Sequence, residues 1–387
     1  MINSQRMAQR FQDLVEIDSI SRQESDVAQS IEKILMGMGA KIYYDTAKDQ
    51  VNGNCSNLVA KFKGNVKAEP LFLSGHMDTV EPGNNIKVQF ENGIFTSDGT
   101  TILGADDKSA IAIILEVMDV IFENKLDYPP IEIIFTVCEE IGLLGAKYFD
   151  YSLMDSKFGY ILDSIDTQGI ITKAPAANKI KFKVFGKAAH SGAEPEKGIN
   201  AIVVASKAIA ELQLGRIDEE TTCNLGIIKG GIATNIVPEY VEIHGEVRSH
   251  DEKKLETVTH DIVNTFYDVA QNFKRTLQKD LMGNSDLPRV EAIIENDFSS
   301  TNIPDDHRAI VLARKAAKNL GISLESKTTG GGADANVFFS HGIYAGVLGT
   351  GMTDVHTLKE SIDIKDMENA AQLVLEILKV HISGNAS

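Results

Sequence analysis

Several short apolar runs in this chain stop on a histidine or a carboxylate, and that grammar narrows the folds open to it. Leu71-Phe72-Leu73-Ser74-Gly75 leads to His76 and Asp78, Ile131 to Cys138 leads to Glu139 and Glu140, and Tyr160-Ile161-Leu162 leads to Asp163. Leu103-Gly104-Ala105 leads to Asp106 and Asp107 and then to a helical pattern, while Gly346 to Thr353 leads to Asp354 and His356. Runs of this length and composition read as buried strands. Alternation with helical patterns implies an α/β fold with a parallel or mostly parallel sheet. In such sheets, sites form in the crevice outside the carboxyl ends of the strands. Converging acids are costly there unless a cation neutralises them. A bound metal, and more simply two, answers that cost.

The 387 residues suit two domains rather than one core. With 43% hydrophobic and 24% charged residues, the composition is that of an ordinary soluble globular protein. The formal net charge of -17 repels phosphate backbones, so no nucleic acid partner is expected. No window holds ~20 uninterrupted apolar residues, so no membrane span is expected either. Met1 to Ile20 is interrupted by Arg6, Arg10, Asp13 and Glu16 and does not read as a signal peptide. Cys55, Cys138 and Cys223 lack disulfide-like or metal-like spacing, and the expected compartment is the reducing cytoplasm.

Helical patterns cover Gln5 to Ile17 and Ser25 to Met38, and Leu58 to Phe62 reads as a strand. Phe90 to Phe95 reads as a hairpin turning at Glu91-Asn92-Gly93. The helix after Asp107 carries Ile111, Ile114, Leu115 and Met118 on one face. The grammar changes near Pro175. Lys179-Ile180-Lys181-Phe182-Lys183-Val184-Phe185 alternates strictly, as a strand with one wet face does. A helix from Asn200 to Leu212, strands Asn224 to Ile228 and Tyr240 to Arg248, a helix from about Asp251 to Phe273 and a strand Arg289 to Asn296 follow. The order β-α-β-β-α-β predicts a ferredoxin-like α+β domain, inserted at 176–302 into a metal-binding domain made of 1–175 and 303–387. The outer domain resumes with a helix from Asp305 to Leu320 and closes with one from Met367 to Ile382.

Taken singly, the polar residues are ambiguous. His76 and Asp78 can be a metal ligand and the acceptor that fixes its tautomer, or polar loop residues. Asp106 and Asp107 can be ligands, or acids favoured by a helix dipole. Of Glu139 and Glu140, one can bind metal while the other takes a proton from a water acidified by it; the alternative is a solvated acidic pair. Asp163 and His356 are weak alone. The set is specific where its members are not.

That set resembles a known superfamily. His76-Met77-Asp78, Gly104-Ala105-Asp106-Asp107-Lys108, Glu139-Glu140, Asp163 and Val355-His356-Thr357 occur in the order found in the di-zinc exopeptidases and amidohydrolases, which include peptidase T, aminoacylase and succinyl-diaminopimelate desuccinylase. Asp98-Gly99-Thr100-Thr101-Ile102-Leu103-Gly104 and Phe135-Thr136-Val137-Cys138-Glu139-Glu140-Ile141-Gly142-Leu143 look most like the peptidase T group. The resemblance spans essentially the whole chain. It implies a zinc-exopeptidase-like three-layer catalytic domain with an inserted lid and dimerisation domain, two Zn²⁺ per subunit (Co²⁺ or Mn²⁺ as substitutes) and a homodimer. By the resemblance, Asp106 bridges the two ions, His76 and Asp163 hold one, and Glu140 and His356 hold the other. Glu139 is the general base, Asp78 orients His76, and the Asp106–Asp107 bond is cis. Lys187-Ala188-Ala189-His190-Ser191-Gly192 resembles the lid motif whose histidine reaches a partner's active site and stabilises the oxyanion. Asn235, in Gly231-Ile232-Ala233-Thr234-Asn235, matches a substrate contact. Arg248 matches the position gripping a peptide's terminal carboxylate, with a surface ion pair as its bland alternative. The loop Thr329-Gly330-Gly331-Gly332-Ala333-Asp334, with Gly331 at its centre, lines the substrate cleft in relatives.

The implied activity is removal of N-terminal residues from short peptides by a tripeptidase-like zinc aminopeptidase. An N-acyl amino acid amidohydrolase or a carboxypeptidase on the same scaffold is the alternative, and a catalytically silent, metal-dependent peptide-binding protein is a more distant one. The segment between His76 and Asp106 is shorter than in peptidase T proper, which bears on the preference for tripeptides.

Overall fold

A computed structural model of the chain describes residues 1–276 and 286–383. It divides into two compact units: Met1–Lys173 with the described residues from Thr301 onward, and the described residues within Ala174–Ser300.

The first unit is built on a mixed sheet. Its centre is four neighbouring strands, Ile131–Thr136, Leu71–His76, Phe158–Ile161 and Tyr344–Leu348, each parallel to the next. Antiparallel pairings flank them: Leu58–Phe62 on Ile131–Thr136, Lys41–Tyr44 beyond it, and Gly169–Ala174 on Tyr344–Leu348. Register levels the carboxyl ends of the parallel strands, with His76 opposite Thr136 and Ile161 opposite both Ser74 and Val347. Every residue of Leu71–His76 and Ile131–Thr136 is buried, so layers must cover both faces of the sheet.

The helix Ala105–Glu123 packs on Leu71–His76 and between the helices Ser4–Val15 and Ile364–Ser383. The sequence pattern put its apolar residues on one face; in the structure it is buried on nearly every side. The encirclement also buries Glu116, which needs compensation. Arg6 supplies it, with Nε 2.7 Å from Glu116 Oε2, and the Asn3 N–H donates to Oε1 at 2.7 Å.

A second, four-stranded sheet was not legible in the sequence. It orders Met352–Thr353, Ser361–Asp363, Ile94–Ser97 and Val88–Glu91. The last two form the expected hairpin, with Asn92 and Gly93 both at positive φ in its two-residue turn. The first two bracket the loop that carries His356.

The second unit holds a five-stranded antiparallel sheet in the order Gly215–Arg216, Thr221–Gly230, Tyr240–Ser249, Ala176–Phe185, Arg289–Phe298. Setting aside the two-residue edge strand, this is the ferredoxin-like arrangement. The helices Ala201–Glu211 and Glu252–Thr276 pack on the sheet and on each other. The alternation read from Lys179 to Phe185 sends Ile180, Phe182 and Val184 into this core. Phe182 stacks on Phe266 with ring centroids 3.9 Å apart. Truncating Phe266 to Ala should destabilise this unit by about 3–5 kcal/mol, read as a lower urea midpoint; a change within about 0.5 kcal/mol would show that the stack is not central to its core.

Candidate metal centre

The sheet edge where the parallel strands end collects the polar residues. His76 closes its strand, buried to 2% exposure. Its Nε2 lies 3.0 Å from Asp106 Oδ1, and its Nδ1 lies 2.9 Å from the carbonyl oxygen of Asp78. Asp106 follows Gly104, whose φ of 79° is readily reached only without a Cβ, and the Asp106–Asp107 peptide is cis. The other Asp106 oxygen, Oδ2, lies 3.1 Å from His356 Nε2, which also lies 3.0 Å from Glu140 Oε1. Ligand atoms of His76, Asp106 and Glu140 all fall within 4.8 Å of one another, as do those of His76, Asp107 and Asp163. The structure thus gathers His76, Asp106, Glu140, Asp163 and His356, and adds Asp107.

Asp78 works differently from a plain tautomer clamp. Its carboxylate is 3.5 Å from His76 Nδ1, while its backbone carbonyl makes the closer contact with that ring. The carboxylate instead accepts the Glu139 N–H at 2.9 Å, the Glu140 N–H at 3.3 Å and the Ser21 hydroxyl at 2.6 Å. It therefore fixes the backbone that presents both glutamates. Behind them, buried Glu24 accepts the Cys138 N–H at 3.0 Å and holds Cys138 at a φ of 53°. Gly75 permits the approach of Asp107, since a Cβ there would sit 2.6 Å from Asp107 Oδ2, the atom that accepts the His76 N–H at 3.2 Å.

Burial dominates the electrostatics. It pushes Glu139 well above the ordinary glutamate value, with Asp163, Asp334 and Glu140 adding to the rise against the pull of His76. Burial, then Asp106, raises Asp163 to about 7. Asp106 goes the other way: burial works to raise it, but hydrogen bonds from His356 and His76 hold it below the usual range. His356 is raised to about 10 by the same bonds to Asp106 and Glu140. Oδ1 of Asp107 and Oδ1 of Asp334 are buried without a hydrogen-bond partner. This many desolvated acids around two imidazoles, with two carboxylate oxygens left unanswered, fits a divalent cation site of mixed N and O donors.

Sequence reasoning did not single out Glu24, Lys108 or Glu360. Lys108 is fully buried, pushed down to about 7 by burial, and its Nζ donates to the Ile17 carbonyl at 2.6 Å. Each answers partners far away in sequence, and no local spacing marks them. Asp334 lay in the glycine loop already noted; its Oδ2 accepts the Thr136 hydroxyl at 2.6 Å. Gly331, in the same loop, donates its N–H to Thr329 Oγ1 at 3.1 Å.

His190, Asn235 and Arg248 belong to the second unit. His190 is exposed, and its Nδ1 accepts the N–H groups of Gly192 and Ala193, both at 3.2 Å. That leaves Nε2 as the protonated nitrogen of the neutral ring, free to donate. Asn235 lies beside it: its carbonyl accepts the Ser191 N–H at 3.0 Å, and His190 bridges to Ile236. Arg248, half-buried on the strand Tyr240–Ser249, places Nη2 3.0 Å from Glu246 Oε2.

Comparison with known proteins follows the same lines. Residues 57–194 match the description peptidase family M28, and residues 176–274 match a peptidase dimerisation domain of the M20 type. The Bacillus subtilis (strain 168) protein YqjE is 39% identical over 98% of this chain and 99% of its own length. A Staphylococcus aureus crystal structure described as a tripeptidase is 35% identical, covers 99% of this chain and 100% of that one, and has a TM-score of 0.91. Aminopeptidase PepT from Bacillus cereus is 34% identical, covers 99% of both chains and has a TM-score of 0.86. This chain belongs to the M20 peptidase family, in its peptidase T-like group. It is accordingly a metallopeptidase of the exopeptidase kind.

Two outcomes follow for the metal centre. Replacing Asp78 by Ala should weaken metal binding about 10–100-fold in chelator competition; unchanged affinity would mean that the glutamate backbone needs no such tether. In the metal-free enzyme, Asp163 titrates near 7 folded against 3.8 unfolded. Its contribution to stability is full below about pH 4 and is lost as pH rises towards 7, because the unfolded chain releases that proton first. The melting temperature of metal-free protein should therefore decline across that window, and Asp163→Asn should flatten the decline.

Proposed function

We propose that this M20 peptidase is an aminopeptidase that removes the N-terminal residue from short peptides, tripeptides foremost, with two zinc ions. The observation that carries the reading is the full-length likeness, at 35% identity, to a structure described as a tripeptidase. In this reading Asp106 would hold both ions, His76 and Asp163 one of them, and Glu140 and His356 the other. Co²⁺ or Mn²⁺ would suit the same donors. When bound, the ions acidify the attacking water and polarise the scissile carbonyl.

The remaining steps belong to side chains. Glu139, desolvated and therefore a better proton acceptor than a free glutamate, takes a proton from the attacking water and returns it to the leaving amine. Asp78 keeps it in place through the Glu139 N–H. His190, donating through Nε2, stabilises the developing oxyanion; in a homodimer this would be His190 of the partner subunit. The match of 176–274 to a peptidase dimerisation domain supports that assembly. Asn235 and Gly331 would contact the substrate. The planar fork of Arg248 would exchange Glu246 for the peptide's terminal carboxylate, a bidentate match. Cys55, Cys138 and Cys223 are free and buried, which supports a cytoplasmic setting.

A panel of free and N-acylated di- and tripeptides tests the reading. Free tripeptides should be cleaved from the amino end and blocked ones rejected; preferential cleavage of acylated substrates would establish the amidohydrolase alternative, and release of C-terminal residues the carboxypeptidase. Glu139→Gln should lower kcat about 10²–10⁴-fold while metal content stays at the wild-type level. Arg248→Ala should cost about 10–100-fold in kcat/KM on tripeptides, equivalent to a lost charge-assisted hydrogen bond of about 1.5–3 kcal/mol, with a smaller loss on tripeptide amides. Equal losses on acids and amides would remove Arg248 from carboxylate recognition.

A further inference from the structure

Glu360 is 2% exposed, yet its carboxylate makes no ion pair among the described residues. It is spent on backbone. Oε2 accepts the N–H groups of Leu103 at 2.7 Å and Gly104 at 2.8 Å, and Oε1 accepts the N–H of Asp106 at 3.0 Å. These three donors form the turn that delivers Asp106 to the metal centre. Three N–H groups converging on one buried carboxylate solvate it in place of water, and charge-assisted bonds of this kind are about twice as strong as neutral ones.

The position of Glu360 gives the contact its meaning. It sits four residues after His356, at the end of a loop bracketed by the antiparallel strands Met352–Thr353 and Ser361–Asp363. Ser361–Asp363 in turn pairs with Ile94–Ser97, the strand that feeds the Asp98–Asp106 segment. His356 and Asp106 therefore come from two loops that leave the same small sheet. The His356 backbone is at a φ of 62°, and its ring is half exposed, with its Nε2 3.1 Å from Asp106 and 3.0 Å from Glu140. Glu360 ties the two loops together, reaching back from the His356 loop to the Asp106 turn.

We propose that Glu360 is a positioning residue of the metal centre: through the Leu103, Gly104 and Asp106 N–H groups it fixes the distance between Asp106 and His356. It touches neither substrate nor the reacting atoms. The inference rests on the reading that Asp106 and His356 are metal ligands. It deepens that reading by naming the residue that registers one against the other. Replacing Glu360 by Gln keeps the side-chain volume but trades one acceptor oxygen for an NH₂ group that faces N–H donors. Replacing it by Asp keeps the charge and shortens the reach.

The test measures Zn²⁺ affinity by chelator competition and the visible absorption spectrum of the Co²⁺-loaded protein, beside the melting temperature of the metal-free protein. Glu132→Gln is the control. Glu132 is an equally buried carboxylate that accepts the Asp155 and Ser156 N–H groups and meets Lys61, away from the ligands. Glu360→Gln and Glu360→Asp should each weaken Zn²⁺ binding about 10–100-fold and alter the Co²⁺ spectrum. Glu132→Gln should lower the melting temperature and leave both metal readouts as in the wild type. Should Glu360→Gln fail to fold, Glu360→Asp carries the same measurement. Wild-type affinity and spectrum in the Glu360 variants, with His356→Ala impaired, would overturn the positioning role and spare the ligand assignment. Wild-type binding in His356→Ala and Asp106→Asn would overturn the assignment itself.

Discussion

Carboxylates brought together away from water cannot all remain charged unless something positive answers them, and the first unit is organised around that constraint. The parallel strands end level, so whatever follows them shares one crevice. Into it come Asp106, Asp107, Glu139, Glu140 and Asp163, with the imidazoles of His76 and His356 beside them. The upward pull of burial on Glu139 and Asp163 measures how unfavourable the arrangement is for protein alone. A divalent ion answers such crowding and converts it into affinity.

Holding such a crowd still requires a scaffold of fixed donors. Asp78, Glu24 and Glu360 share one device, a buried carboxylate that accepts backbone N–H groups. Each pins a stretch that carries residues of the candidate site: the Glu139–Glu140 turn from two sides, and the Asp106 turn from a third. Backbone N–H groups cannot rotate away or titrate, so this support is stiffer than a salt bridge between long side chains. Gly75 and Gly104 serve the same end by making room rather than contact.

What the sequence revealed follows the range of the interactions involved. Strands such as Leu71–His76 and Ile131–Thr136 announce themselves by continuous apolarity, and Ala176–Phe185 in the second unit by alternation, because both patterns are local. The ligand-type residues were legible because they terminate those strands. The helix after Asp107 buries the four residues of its predicted apolar face and more besides, because two other helices enclose it, a fact set by packing against distant segments. The four-stranded sheet was hidden because its strands of two or three residues pair with a hairpin far upstream. Glu360 was hidden for the same reason: its bond to Leu103 spans 257 residues. The bond of Arg248 to Glu246 is the ion pair that the bland reading expected.

The chain leaves the first unit along Gly169–Ala174 and returns through Thr301–Asn302, which lies next to it in the same sheet, with the Ile303 N–H bonded to the Thr172 carbonyl at 2.9 Å. Exit and re-entry thus share a doorway. Everything between them is a single insertion in the chain, and the register that levels the parallel strands is set by residues of the first unit. A lineage could exchange, enlarge or shed that appendage without re-knitting the hydrolytic core, which makes the scaffold open to new substrates and new assemblies by grafting at a single seam.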